Sequence, residues 1–345
     1  MNRPIFGKYD YTATQILHRV RRRLYALVSS NPTLAGLYYA LLNKTFRAEQ
    51  HAVSSGINRH LCTSAGRAAT FRLRRSIHRI EKGLSMRQRR TCFGLNYIEP
   101  TVDDLTSFMK VDDGANFAEI QWYRSTLEAY FAVCTSTDGR FLRAREKFRG
   151  AGFSNPSGRL IPFPAGQREA LTLDYSQLEA LARRRRSVRW FLPTPIPRHT
   201  LLRAVATANQ SPSACNRQSV RIRIFDNPNE ARKITALAPG AAGLHHNFPA
   251  AAVLIGDLSA YAHERDRHAI YVDGGLKAMT FMYALEVLGV STCALNWPEN
   301  ARLDKAAAHA LGLAPHERVV LMIAAGVADP DGLIPYSFKE NVSSA

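Results

Sequence analysis

Ile16, Leu17, Val20, Leu24, Leu27 and Val28 recur on one side of a 3.6-residue period, while Arg19, Arg21, Arg22 and Arg23 fall elsewhere. That pattern predicts an amphipathic basic helix. Helical periodicity also covers about Pro32 to Phe46, Thr63 to Lys82 and Phe117 to Phe131, so the first 150 residues are expected to be mainly helical. From Arg149 to Tyr175 the periodicity disappears. Gly150, Gly152, Gly158 and Gly166 alternate there with Pro156, Pro162 and Pro164, the composition of a linker. Beyond it, helices are expected at Ser176 to Arg185 and Arg198 to Ala208, with strands at Val220 to Phe225, Ala251 to Asp257, Ser291 to Leu295 and Val319 to Gly326. In the first strand Val220, Ile222 and Ile224 alternate with Arg221 and Arg223, as a half-exposed strand requires. The other three are continuous apolar runs, typical of central strands. Gly275 to Leu288 carries Leu, Met, Phe and Tyr on nearly every face, which implies a buried helix. The expected organisation is a helical extension over 1–150, a linker over 151–174 and a layered helix-and-sheet domain over 175–345.

Composition narrows the class. A chain of 345 residues with 46% hydrophobic and 21% charged residues can bury two cores and is neither disordered nor fibrous. Its longest apolar runs, Ala35 to Leu42 and Ala250 to Ile255, are far short of the roughly 20 residues that span a bilayer. Lys8 and Asp10 arrive before any N-terminal apolar stretch, so a cytoplasmic protein without a secretory signal is expected. Cys62, Cys92, Cys134, Cys215 and Cys293 are scattered, which supports neither a disulfide framework nor a structural zinc site. The net charge is +18, and residues 1–150 hold 25 Lys/Arg against 12 Asp/Glu. Such a surface attracts phosphates, acidic lipids or anionic polymers. No zinc finger, RNP-like aromatic motif or basic zipper accompanies it, so nucleic acid has no support beyond charge.

Several chemistries drop out. His263 and His268 are five apart where a zinc-protease helix needs four, and there is no phosphate loop, nucleophile elbow or strict G-x-G-x-x-G. His245-His246 reads as a solvated or backbone-bonded pair. Two segments remain. Arg183-Arg184-Arg185-Arg186-Ser187-Val188-Arg189-Trp190-Phe191 closes a helix; it is either a solvated basic helix end or a phosphate site in which Arg185, Ser187 and Arg189 converge. Ser211-Pro212-Ser213-Ala214-Cys215-Asn216-Arg217-Gln218 is either an ordinary turn or a set of donors and acceptors for the polar edge of a flat heterocycle.

In this order and spacing the two segments resemble the nitroreductase family of flavin-dependent oxidoreductases, with R-R-S-x-R-x-F followed by a helix and P-S-x-x-N-x-Q. Asp273-Gly274-Gly275, Leu288-Gly289-Val290-Ser291-Thr292-Cys293 and Pro335-Tyr336-Ser337-Phe338-Lys339 extend the resemblance over about Tyr175 to Val342. It implies an α+β fold with a central, mainly antiparallel sheet and surrounding helices, forming a homodimer with FMN at the interface. Arg185, Ser187 and Lys339 would hold the flavin phosphate, and Arg189 would face the pyrimidine edge. Pro212, Ser213, Ala214, Asn216 and Gln218 would border the ring. Leu295-Asn296-Trp297 would supply a backbone N–H near the flavin N5, which makes Asn296 and Trp297 the residues nearest the chemistry. The implied activity is two-step electron transfer from NADH or NADPH, through FMN, to an organic acceptor that is a small molecule or polymer-linked.

Two departures qualify the inherited substrate. Gln218-Ser219-Val220 replaces the common Q-P-W, and Asn296-Trp297-Pro298 stands where well-known members carry Glu-Gly, so the indole is expected to narrow the pocket. His78-Arg79-Ile80-Glu81-Lys82-Gly83-Leu84-Ser85-Met86 is similar to an extension on bacterial members associated with polysaccharide biosynthesis. Either Gly83 caps a helix, or Arg79, Glu81 and Lys82 shape a substrate mouth. An alternative of another class is a degenerate flavin fold whose basic extension binds an anionic polymer or membrane surface.

Overall fold

A computed structural model describes residues 11–63, 66–111, 117–151 and 160–339. Gly152, Pro156 and Gly158 of the expected linker, and Val342, lie outside them, as do the side chains of Ile16 and Leu17. Contacts divide the chain into two compact units, Met1–Gln50 with Glu299–Ala301, and His51–Pro298 with Arg302–Ala345.

The first unit contains α1 (Tyr11–Val28) and α2 (Pro32–Leu37). Asn31 caps α2 by accepting from Thr33 N at 2.7 Å, and Pro32 takes the first helical position. The helix expected through Phe46 ends at Leu37 and widens into a π-helical turn, Tyr38–Leu42. The widening coincides with aromatic contacts, Tyr25 to Tyr38 at 6.0 Å and Tyr39 to Phe46 at 4.4 Å.

In the second unit, α3 (Arg47–Cys62, from His51 onward), α4 (Arg67–Leu84), α5 (Ile98–Val111), α6 (Phe117–Val133) and α7 (Gly139–Gly150) precede α8 (Tyr175–Arg184) and α9 (Arg198–Ala208). Then come β1 (Val220–Phe225), α10 (Pro228–Thr235), β2 (Ala250–Asp257), α11 (Ala269–Val287), β3 (Ser291–Asn296), α12 (Ala301–Leu311) and β4 (Glu317–Gly326). The strands form one antiparallel sheet in the order β1-β2-β4-β3. β2 is buried along its whole length, as its unbroken apolar sequence requires. β3, expected to be central, lies at an edge, and Ala294 and Asn296 on it are exposed.

One sheet face packs on α9 and α11 through Leu254, Ile323, Ala204 and Phe281; the other packs on α10 and α12 through Val253, Met322, Ile234 and Leu311. Gly274 lets α11 approach β4, since a Cβ there would lie 2.7 Å from Val320. A third core joins α4, α5, α6 and α7 through Ile77, Leu105, Leu127 and Phe141. α4 belongs to two cores. Its Phe71 packs with the sheet residues and its Leu73, Ile77 and Ile80 with the helical layer. Residues 51–151 and the sheet therefore fall in one compact unit, so compactness divides the chain near residue 50 and not at the Gly/Pro-rich segment. No helix among the described residues is long and apolar enough to cross a membrane.

Candidate functional site

α8 opens with a capping box, Gln177 N donating to Asp174 Oδ1 at 2.9 Å and Asp174 N to Gln177 Oε1 at 3.0 Å. At its end Arg184 pairs with Glu286 at 3.0 Å. The chain then runs extended along the free edge of β3, where Val188 N donates to Thr292 O at 3.0 Å and Ser187 forms a parallel bridge with Thr292. Further on, Leu192 N donates to Val327 O at 2.9 Å, and Phe191 covers Gly326, where a Cβ would come within 2.7 Å of its ring. The clamp on this segment is Asn247. Its Oδ1 accepts from Phe191 N at 3.0 Å, and its Nδ2 donates to Arg189 O at 3.1 Å and Leu244 O at 2.6 Å.

This edge is cationic and has unmet hydrogen-bonding capacity. Among the described residues Arg185 Nε and Thr292 Oγ1 are buried without a partner, an arrangement that suits an incoming acceptor group. Burial raises the Cys293 thiol pKa, and the positive fields of Arg189 and Arg185 oppose that rise. Because Thr292 directs its carbonyl to the edge, antiparallel alternation turns the main-chain groups of Ala294 and Asn296 the same way. The available N–H groups are thus those of Ala294 and Asn296, whereas the main-chain groups of Leu295 turn to β4. The Trp297 indole does not narrow an entrance. It is 8% exposed within the core and donates to Asp304 Oδ1 at 2.9 Å, because alternation along the strand turns it inward with Leu295.

The second segment is a strained loop. Cys215, Asn216 and Gln218 have φ of 52°, 51° and 56°, a left-handed region that non-glycine residues occupy at a cost. Ala214 N donates to both oxygens of Asp273 at 3.1 Å, and Gln218 N donates to Ser213 Oγ at 3.1 Å. Asp273 is buried, which raises its carboxyl pKa, and it also accepts from the Tyr261 hydroxyl at 3.4 Å. The Arg217 guanidinium lies 4.8 Å above the Tyr261 ring. From α4, Arg74 donates to Arg217 O at 3.4 Å and to Glu119 Oε2 at 3.1 Å, with Tyr123 bonded to the same carboxylate. Lys277 donates to Val220 O at 2.8 Å and Asn209 Oδ1 at 3.1 Å below the loop.

The two segments attach to opposite ends of α11. Asp273 and Glu286 are thirteen residues apart on it, or about 20 Å at 1.5 Å per residue. Lys339 is exposed.

The 78–86 segment is built differently from a mouth. Arg79 stacks 3.7 Å over the Tyr97 ring, Glu81 accepts from Trp122 Nε1 at 2.7 Å, and Lys82 alone of the three is exposed. Gly83 is not a cap; the helix runs to Leu84 with Ser85 as its cap. Glycine is required there because a Cβ would meet the Phe93 ring at 2.1 Å. The residues that sequence reasoning missed are Asn247 and Arg74. Asn247 directly follows the conspicuous His245-His246 pair, while nothing local distinguishes Arg74 from the other arginines of α4.

Residues 182–242 and 241–327 match the model of the nitroreductase family. The match takes in Arg185 to Arg189, Pro212 to Gln218, Asp273 and Leu295 to Trp297, and the fold over this stretch is nitroreductase-like, an α+β sheet and helix arrangement. Among solved structures, the chain is similar to an FMN-dependent nitroreductase from Clostridium difficile (17% identity, 46% of this chain and 91% of that one, TM-score 0.40). It is also similar to a nitroreductase family protein from Streptococcus pneumoniae (16%, 47% and 96%, 0.40) and a nitroreductase-like protein from Streptococcus mutans (20%, 49% and 99%, 0.41). No curated protein matches the chain.

Proposed function

We propose that the chain is an FMN-dependent oxidoreductase that takes electrons from NADH or NADPH and passes them to an organic acceptor, free or polymer-linked, in two steps at one site. The observation that carries this reading is the Arg185–Arg189 segment held on the free edge of β3 by Asn247, inside the stretch that matches the nitroreductase family. FMN, when bound, supplies the redox chemistry at its ring. Arg185 and Ser187 would hold its phosphate, with Lys339 joining them from the tail; the unpartnered Arg185 Nε fits that role. Arg189 would set positive charge beside the pyrimidine edge, and the Asn296 N–H would donate to the ring from the edge of β3.

Asn216, Gln218 and the Pro212–Ala214 backbone would border the same ring from a second copy of the chain. Val272, Leu276 and Val287 are 62%, 46% and 71% exposed and share one face of α11, within about 60° at 100° per residue. Antiparallel pairing of this face with its symmetry mate would bury the stripe and exchange the ends of α11. One chain's strained loop would then stand beside the other's Arg185 segment.

The test is spectral. The purified protein should show flavin absorbance or bind added FMN in titration, and anaerobic mixing with NADH or NADPH should bleach it. Arg185→Ala should weaken FMN binding about 10- to 150-fold, the worth of a charged hydrogen bond. Absence of flavin in the protein together with no binding in titration rejects the reading.

A further inference from the structure

We propose that the first unit docks on an anionic lipid surface, a role independent of the redox reading. Between residues 11 and 48 the chain has six cations, Arg19, Arg21, Arg22, Arg23, Lys44 and Arg47, and no Asp or Glu. All six are exposed.

Apolar residues accompany the cations in the pattern of a helix that lies in an interface. On α1, Val20, Leu24 and Leu27 are 59%, 36% and 63% exposed, and at 100° per residue they share a face about 60° wide. Arg21 and Arg23 flank that face on either side. It is not the side by which α1 packs, since Val28 is buried and Tyr25 meets Tyr38 at 6.0 Å. Leu37, Leu41 and Leu42 of the same unit are also exposed, at 52%, 69% and 77%.

The combination selects the partner. A nucleic acid or acidic polysaccharide would engage the arginines and leave the leucines in water. A lipid surface accepts both, headgroup phosphates pairing with guanidinium groups while the acyl boundary receives Leu24 and Leu27. α1 would lie on the surface, not span it, as no described helix is long and apolar enough to cross.

The experiment is co-sedimentation of the full-length protein with phosphatidylcholine vesicles, with and without phosphatidylglycerol. Binding should require phosphatidylglycerol and weaken as salt rises. Replacing Arg19, Arg21, Arg22 and Arg23 together by Ala should reduce partitioning several hundredfold, about fivefold per arginine. The double variant Leu24→Ser/Leu27→Ser keeps every cation; it should lose vesicle binding yet elute from heparin at the wild-type salt concentration. Circular dichroism confirms that each variant remains folded, and Arg21→Glu alone serves if the quadruple variant does not. Failure of the wild type to bind phosphatidylglycerol vesicles overturns the proposal, as does wild-type binding by the serine variant. DNA or heparin binding without vesicle binding assigns the surface to a polyanion instead.

Discussion

Asp273 offers the sharpest test of how the candidate site is held. Its carboxylate accepts the Ala214 N–H at 3.1 Å to each oxygen, and Ala214 leads into the residues with positive φ. Asp273→Ala leaves that N–H unpaired beneath the loop, a loss of about 1–3 kcal/mol. Removing a buried carboxylate also relieves the desolvation that raises its pKa, so a net loss of about 2 kcal/mol is expected. For a folded unit of this size that corresponds to a fall in Tm of about 3 °C. Without the anchor, Cys215, Asn216 and Gln218 are no longer held in the conformation that borders the site, and FMN affinity should drop at least about tenfold. Asp273→Asn retains an acceptor for Ala214 and should stay within about 1 kcal/mol of wild type. Differential scanning fluorimetry and a flavin-fluorescence titration measure both quantities. An alanine variant with wild-type Tm and FMN affinity refutes the assignment of Asp273 as the anchor of the loop.

Gly83→Ala should destabilise the protein by about 1–3 kcal/mol from overpacking against Phe93, less the helix-propensity gain of up to about 1 kcal/mol; urea denaturation tests this, and Phe93→Leu should restore part of the loss. Arg74→Ala leaves the half-buried Glu119 carboxylate without its cation and should cost about 1–3 kcal/mol; the double variant with Glu119→Gln should recover part of it in a double-mutant cycle, and purely additive losses would deny the coupling. His60 is buried with Nδ1 2.8 Å from the Ser259 carbonyl, and burial lowers its pKa below 6.5. Below pH 6.5 the unfolded chain therefore binds more protons at this position than the folded chain, so the histidine's contribution to stability falls as pH falls through that range. Chemical denaturation across the range should show a shallower acid loss for His60→Gln, and identical slopes would reject the assignment.

Much of the second unit was legible in local pattern. β1 begins and ends where the Val220–Phe225 alternation places it, and α9 spans the expected Arg198–Ala208. Both follow from a period that each segment carries in itself. α7 was missed, although Phe141, Ala144 and Phe148 are its buried residues at helical spacing; a run crowded with Arg and Lys obscures that stripe. Chemistry was legible as residue types in order, which brought Arg185, Ser187, Arg189 and the 212–218 loop into view. What each contacts was not. An unbroken apolar run reads as a central strand, yet β3 lies at the edge of the sheet, where Ser187 and Val188, more than a hundred residues earlier in the chain, bridge Thr292. Trp297 in the core, Asn247 as the clamp on Arg189 and Arg74 beneath the loop depend likewise on partners distant in sequence. A polar or aromatic side chain has the same local signature in solvent, in a core or at a site. Only the tertiary structure brings the partner that decides among them.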